Sequence, residues 1–377
     1  MPSTTSSTSA ERAELPAIEV KTASNIYQAV VGPGAIEVMP QYLDASVPQA
    51  RIRVIADATV WESLGTPIEE GLRESGRDVA VLTMDGREEK KSINSAATLF
   101  DWLIRAGTDR GDVVVGVGGG VMGDLVGFVA ATYLRGVRLV HVPTSLLAMV
   151  DSSIGGKVAV NHPLGKNLIG AFHQPILVVA DTRALRTLPD RERANGWSEV
   201  IKIAMIRDGE LFQTLSDRAD EITSLRNERL VGDAIRRAVQ LKGEVVGEDE
   251  REDGLRVILN YGHTIGHAIE AATAYGTYLH GEAVAIGMRG AASIAAARGV
   301  LPAEAFAAQT SLIAKFGLPD RVEGVAAADL LGPLSRDKKA RGKTIQWVFA
   351  DGIGSVTTRR DVTPEEVAGA LETVGCR

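Results

Sequence analysis

The chain has 377 residues, 45% of them apolar and 24% charged, which is room for two domains of ordinary globular composition. A net charge of −7 argues against a general nucleic-acid or anionic-membrane binder, and no apolar run reaches the roughly 18 residues of a membrane span. The single cysteine, Cys376, excludes a disulfide within the chain and suits a reducing cytoplasm.

The Ser/Thr-rich start lacks the apolar core of a signal segment, and residues 1–16 are expected to form a disordered tail. Ile18–Thr22 and Tyr27–Val31 read as a hairpin ending at Gly32-Pro-Gly34. Arg51–Asp57 and Asp78–Thr83 read as strands, and Ser92 as the N-cap of a helix through Ala106. Val113–Val117 is a buried strand running into Gly118-Gly-Gly-Val-Met-Gly123, followed by a helix from Asp124 to Tyr133 and a strand over Val137–Val142. Strands alternating with helices predict a layered, largely parallel sheet over 17–187. Past Thr187-Leu-Pro-Asp190 the β-rich runs fade, and 188–377 reads as a mainly α-helical domain. Its helices fall at 209–222, 226–248, 258–274, 281–298 and 303–316, and a late hairpin pairs Thr344–Phe349 with Gly354–Thr357.

Three stretches can carry chemistry. Gly118, Gly120 and Gly123 match G-x-G-x-x-G between a strand and a helix, where backbone N–H groups attract phosphate. A tight turn needing small residues is the plainer alternative. An acid to hold a ribose is missing about 20 residues downstream, and Asp57 could take that part. Asp151, Lys157, Lys166 and Asn167 lie among glycines and apolar residues, where a cation calls for an anionic partner or ligand. An exposed glycine-rich loop is the competing reading there. Finally, His263, His267 and His280 are three of the six histidines. His263 and His267 share a helix face at i, i+4. Spacing alone makes them a ligand pair, with Glu199 as third ligand in a two-histidine, one-carboxylate site. Thr264 stands where a zincin metalloprotease has Glu.

Taken together, these residues resemble the 3-dehydroquinate synthase family over about residues 50–355. The matching segments are Gly118-Gly-Gly-Val-Met-Gly-Asp124, Ala131-Thr-Tyr-Leu-Arg-Gly136, Val150-Asp-Ser-Ser-Ile-Gly-Gly-Lys157, Asn161-His-Pro-Leu-Gly-Lys-Asn167, Glu199-Val-Ile-Lys202, Leu259-Asn-Tyr-Gly-His-Thr-Ile-Gly-His267 and His280-Gly-Glu282. The resemblance implies an α/β Rossmann-like NAD-binding domain, an all-α metal- and substrate-binding domain, a homodimer, and a zinc or cobalt ion. It implies Glu199, His263 and His280 as metal ligands, which displaces His267 from the spacing-based pair and turns it toward a substrate phosphate. The matching cofactor positions are Asp57, Glu88, Lys91, Gly119, Gly120, Asp124, Thr144, Ser145, Asp151, Lys157, Lys166 and Thr187. The matching substrate positions are Lys157, Asn167, Lys202, Lys242, Arg256, Asn260, His267 and Lys339, with Arg135 donated across the dimer. Ser145 departs from a common Thr, Arg87 from Gly, and Trp197-Ser198 from smaller residues.

The activity implied is conversion of 3-deoxy-D-arabino-heptulosonate 7-phosphate to 3-dehydroquinate and phosphate, in the shikimate route to aromatic amino acids. Alternatives are a sibling cyclase acting on sedoheptulose 7-phosphate or another sugar phosphate, an amino-analogue synthase, a metal-dependent alcohol dehydrogenase, and a non-catalytic NAD-binding protein.

Overall fold

The structure, a computed structural model, describes residues 15–340 and 345–376, the side chains of 335–340 excepted. Most of the expected tail therefore lies outside the described residues. Its last two positions are tied down: Tyr42 donates to the Leu15 carbonyl at 2.8 Å, and Arg236 donates to the Pro16 carbonyl.

An antiparallel hairpin of β1 (Ile18–Lys21) and β2 (Ile26–Gly32) opens the fold. Alternation follows: α1 (Ala35–Ser46), β3 (Ile52–Asp57), α2 (Ala58–Glu74), β4 (Val79–Met84), α3 (Ile93–Arg105), β5 (Val113–Gly118), α4 (Gly120–Thr132) and β6 (Arg138–Pro143). A separate hairpin, β7 (Lys157–His162) with β8 (Gly165–Phe172), precedes β9 (Leu177–Asp181). The main sheet has seven strands in the order β1-β2-β9-β6-β5-β3-β4, parallel except for β1. Its inner strands are continuous aliphatic runs because both faces are covered. One face packs on α1 and α2 through Leu43, Ile68 and Leu72, the other on α3 and α4 through Leu99, Leu103 and Val126.

Helices then dominate: α5 (Asp190–Arg207), α6 (Gly209–Asp217), α7 (Ala219–Thr223), α8 (Glu228–Glu248), α9 (His263–Ala272), α10 (His280–Ala297), α11 (Ala303–Lys315) and α12 (Ala327–Ala340). A hairpin of β10 (Trp347–Gly352) and β11 (Ser355–Arg359) and a last helix α13 (Pro364–Thr373) close the chain. Among the described residues no helix is long and apolar enough to cross a membrane.

Several elements differ from the sequence reading. Helix α4 begins at Gly120 rather than Asp124, because the glycines wind into its first turn behind the Gly119 N-cap. The stretch 209–222 breaks at Arg218, and 258–274 divides into a 3-10 turn (Leu255–Asn260) and α9 where Gly262 takes φ +81°. The sequence reading places no element at α1, α2, the β7–β8 hairpin, β9, α5, α12 or α13. For α5 the cause is burial: every residue from Asn195 to Ile206 is inside, so the helix shows no polar stripe.

Candidate active site

The sheet reverses its winding between β3 and β5, since β4 lies outside β3 while β6 and β9 continue beyond β5. The carboxyl ends of β3 and β5 therefore flank a crevice, the place where open parallel sheets take ligands. Asp57 ends β3, where its Oδ1 caps α2 by accepting from Thr59 and Val60 N–H at 2.8 and 3.1 Å. Gly118 ends β5 at φ +150°, and a Cβ there would lie 2.8 Å from Met122 and 3.3 Å from Asp57. Only glycine lets the turn enter α4 at this point. The amino end of α4 consequently faces the crevice beside the Ser145 and Ser152 hydroxyls, 3.4 and 3.1 Å from where Cβ atoms on Gly119 and Gly120 would sit. Thr144 is buried, and its N–H donates to the Gly118 carbonyl. Lys91 is buried against Asp124 at 3.0 Å and reaches Glu88 at 3.7 Å, which Lys166 also approaches at 3.7 Å. Burial pushes the Asp124 carboxyl up to about 6 despite the Lys91 ammonium. Thr187 is exposed, and its hydroxyl donates to the Ala184 carbonyl at 3.1 Å.

The histidines meet α5 from two helix starts. Glu199 is buried on α5; its Oε2 pairs with Lys202, and its Oε1 is buried with no hydrogen-bond partner. His263 opens α9 and His280 opens α10, with their Nε2 atoms 3.9 and 3.7 Å from that Oε1. Each ring is held by its other nitrogen: His263 Nδ1 lies 3.2 Å from the Tyr261 carbonyl, and His280 Nδ1 lies 3.3 Å from Glu270 Oε2. Nδ1–H donates in both, which leaves Nε2 a free lone pair for a ligand. Burial, Lys202 and the neighbouring imidazoles hold His263 well below the ordinary histidine range, so it is neutral. For His280 burial works the same way, but the Glu270 hydrogen bond and charge outweigh it and raise its pKa. Glu199, His263 and His280 form a group able to hold a metal ion, its ligand atoms within 4.8 Å of one another. His267, Glu270 and His280 form a second such group. Among the described residues neither group joins His263 to His267, so the pairing taken from i, i+4 spacing is replaced. His267 instead lines a cavity of about 440 Å³ with Lys166, Asn167, Glu270 and Tyr275.

The basic residues converge from both halves of the chain. Lys242, on α8, pairs with Asp151 and donates to its carbonyl at 2.6 Å. Asp151 sits in a single π-helical turn, Ala148–Ser152, a distortion common at functional sites. Arg256 is buried, and its hydrogen bonds run to the Glu250 and Gly155 carbonyls at 2.6 and 3.3 Å. Lys157 pairs with Glu252, whose other oxygen accepts from Asn260 at 2.8 Å. Asn167 takes φ +57° and its N–H donates to Asn161 Oδ1. Arg135 lies elsewhere, exposed at the far end of α4 in a turn where Leu134, Arg135 and Gly136 all have positive φ. Lys339 falls on α12, where its side chain lies outside the described residues.

Two acids were missed by sequence reasoning. Glu252 is assigned no role in the sequence reading, yet φ +63° marks its backbone as strained and its carboxylate bridges Lys157 and Asn260. Glu270 follows His267 by three residues, a spacing that could have flagged it as an orienting partner.

The family model described as 3-dehydroquinate synthase N-terminal matches residues 81–195, and that described as 3-dehydroquinate synthase C-terminal matches 196–340. The chain is 44% identical over 359 residues to 3-dehydroquinate synthase of Synechococcus sp. (strain CC9605), covering 94% of this chain and 96% of the relative. It is 43% identical to the Bordetella pertussis (strain Tohama I) enzyme of the same name over 94% of this chain and 98% of that one. Among solved structures, 2-epi-5-epi-valiolone synthase from Streptomyces hygroscopicus subsp. jinggangensis 5008, with NAD+ and Zn2+ bound, aligns at TM-score 0.85 and 30% identity, covering 92% of this chain and 96% of that one. A 2-deoxy-scyllo-inosose synthase complexed with carbaglucose-6-phosphate, NAD+ and Co2+ aligns at TM-score 0.85 and 28% identity, covering 94% and 99%. With both halves matched and near-full-length identity above 40%, this chain belongs to the 3-dehydroquinate synthase family.

Proposed function

We propose that the chain is a phosphate-eliminating carbon–oxygen lyase, a 3-dehydroquinate synthase that uses NAD and one divalent metal ion, zinc or cobalt. The observation that carries the metal assignment is the buried, unpartnered Glu199 Oε1 faced by two histidine Nε2 atoms. A buried carboxylate oxygen left bare costs several kcal/mol, and a cation there removes that cost. The donor set suits zinc or cobalt, with positions left for substrate. When bound, the ion supplies Lewis acidity toward substrate oxygens. The NAD-binding α/β domain is assigned to 17–187 and the metal- and substrate-binding domain to 188–377. NAD supplies a transient oxidation and the matching reduction, so it is regenerated each turnover.

The chain's own residues bind and orient. The amino end of α4, with Gly119 and Gly120, receives the cofactor pyrophosphate; Asp57, Thr144, Ser145, Asp124, Lys91 and Glu88 line its crevice. Arg256 and Lys242 take the substrate carboxylate, since a guanidinium fork matches a planar carboxylate. Lys157, Asn260, Asn167 and His267 surround the phosphate, with Glu252 surrendering Lys157 and Asn260 as that group arrives. Thr187 and Lys339 remain proposed contacts on the resemblance alone. The chain acts as a cytoplasmic homodimer. On β8 the alternate residues Leu168 and Phe172 point outward, 63% and 45% exposed, and Leu164 beside them is 86% exposed. This apolar strip ends near the Arg135 turn: His173 Nε2 donates to the Val137 carbonyl, and its ring touches the Gly136 position. A partner covering the strip would receive Arg135 at its own site.

Metal removal by a chelator should abolish phosphate release, and zinc or cobalt should restore it. Undiminished release from metal-free protein would overturn the assignment.

A further inference from the structure

We infer that Tyr275 is a positioning residue for the sugar-phosphate reaction: its ring face holds the Lys166 ammonium at the cavity mouth. The inference rests on the reading above for its reaction, but the contact itself does not. Lys166 Nζ lies 4.8 Å from the Tyr275 ring centroid, within reach of the π-face attraction for cations. The two come from opposite sides of the cavity. Lys166 belongs to the β7–β8 hairpin, and Tyr275 to the loop between α9 and α10. That loop is built to present the ring. Ala274 and Tyr275 adopt φ +52° and +58° in succession, a conformation that non-glycine residues rarely take. The Tyr275 N–H donates at 2.8 Å to the carbonyl of Glu270, whose carboxylate orients His280. The ring is thereby keyed to the helix that supports the histidine cluster.

The ring shares the ammonium with a carboxylate. Glu88 Oε1 lies 3.7 Å away on the cofactor side, and Lys166 also feels the charge of Glu270 on the other. The Glu88 pair alone leaves a flexible lysine free to swing about that carboxylate, away from the cavity. The aromatic face keeps it over the mouth, beside Asn167 and His267, where an incoming phosphate passes. At an exposed pair this attraction is worth about a 2- to 5-fold change in binding.

The test compares Tyr275→Phe, Tyr275→Leu and Tyr275→Ala in the metal-loaded, NAD-supplied enzyme, with metal content and thermal midpoint as checks of folding. Phenylalanine keeps the π-face and should leave KM for the heptulosonate phosphate near wild type. Leucine keeps only apolar bulk and should raise KM about 2- to 5-fold with kcat unchanged, as should alanine. In a Lys166→Gln background, Tyr275→Leu should add nothing. Equal behaviour of Leu and Phe, or an undiminished Leu effect without Lys166, would overturn the inference. A readout free of activity is the NMR signal of ε-labelled Lys166, shifted upfield by the ring in wild type and Tyr275→Phe and released in Tyr275→Leu. If wild type released no phosphate, the enzymatic reading would fail while this signal still decided the contact; an unshifted wild-type signal would refute the positioning itself.

Discussion

Two imidazole protons decide the chemistry of the histidine cluster. With Nδ1–H donated to the Tyr261 carbonyl and to Glu270, both Nε2 lone pairs face Glu199 Oε1. Glu199→Gln, His263→Ala and His280→Ala should each lose the metal, because a three-ligand site cannot spare one. His267→Ala should keep metal near wild-type content while weakening phosphonate-analogue binding, and metal analysis after gel filtration separates the two classes. Glu270→Gln should weaken metal affinity roughly 10- to 100-fold, read by competition with a chelator. Asp124 gives a pH signature. Its carboxyl is raised from 3.8 to about 6, so the folded state holds a proton that the unfolded chain has lost. Stability from this group is therefore present below about pH 4 and lost as pH rises toward 6, up to about 3 kcal/mol at about 1.4 kcal/mol per pH unit. Denaturant midpoints should accordingly climb more steeply from pH 4 to 6 in Asp124→Asn than in wild type; equal slopes would contradict the raised value. Residue types and spacing were enough to single out the histidines, but not to choose among them. An i, i+4 pair shares a face in any helix, and only the tertiary approach of α10 brings His280, not His267, to Glu199.

Elements were legible where their surroundings are asymmetric. The first hairpin, the Ser92 cap, which accepts from the Ser95 N–H, and the late β10–β11 hairpin all carry local signals. By contrast, α5 is buried almost throughout, and the short apolar runs of the β7–β8 hairpin are interrupted by glycines, lysines and asparagines that also suit a loop. The helix that carries Glu199 was thus the hardest to see, since its tertiary setting erases the periodicity that would reveal it. The contact between α9 and α10 is set by glycine. A Cβ on Gly287 would sit 1.9 Å from the Gly262 carbonyl oxygen, a backbone atom with no room to yield. Gly287→Ala should cost about 1–3 kcal/mol or more in overpacking. It should also lower metal affinity, because His263 and His280 open these two helices. Retention of full metal affinity at reduced thermal stability would show that the helix pair tolerates the shift.

At the scale of the molecule, the proposed reading gives the cofactor crevice to the sheet and the metal and anion sites to the helices, and Lys157, Asp151 and Lys166 contact residues of the helical half. In the homodimer proposed above, a second copy would complete the site. Leu168→Glu should convert the dimer to monomer in sedimentation, and a dimer that persists would place the interface elsewhere. Arg135→Ala and Lys242→Ala should each be inactive alone. Mixed and re-associated, they should recover about a quarter of wild-type activity, since half the dimers are hybrid and half of their sites whole. The most direct measurement follows phosphate and NADH together in metal-loaded protein supplied with NAD and 3-deoxy-D-arabino-heptulosonate 7-phosphate. The expected result is phosphate release over many turnovers with no accumulation of NADH. One NADH per product, or phosphate released only from sedoheptulose 7-phosphate, would contradict it.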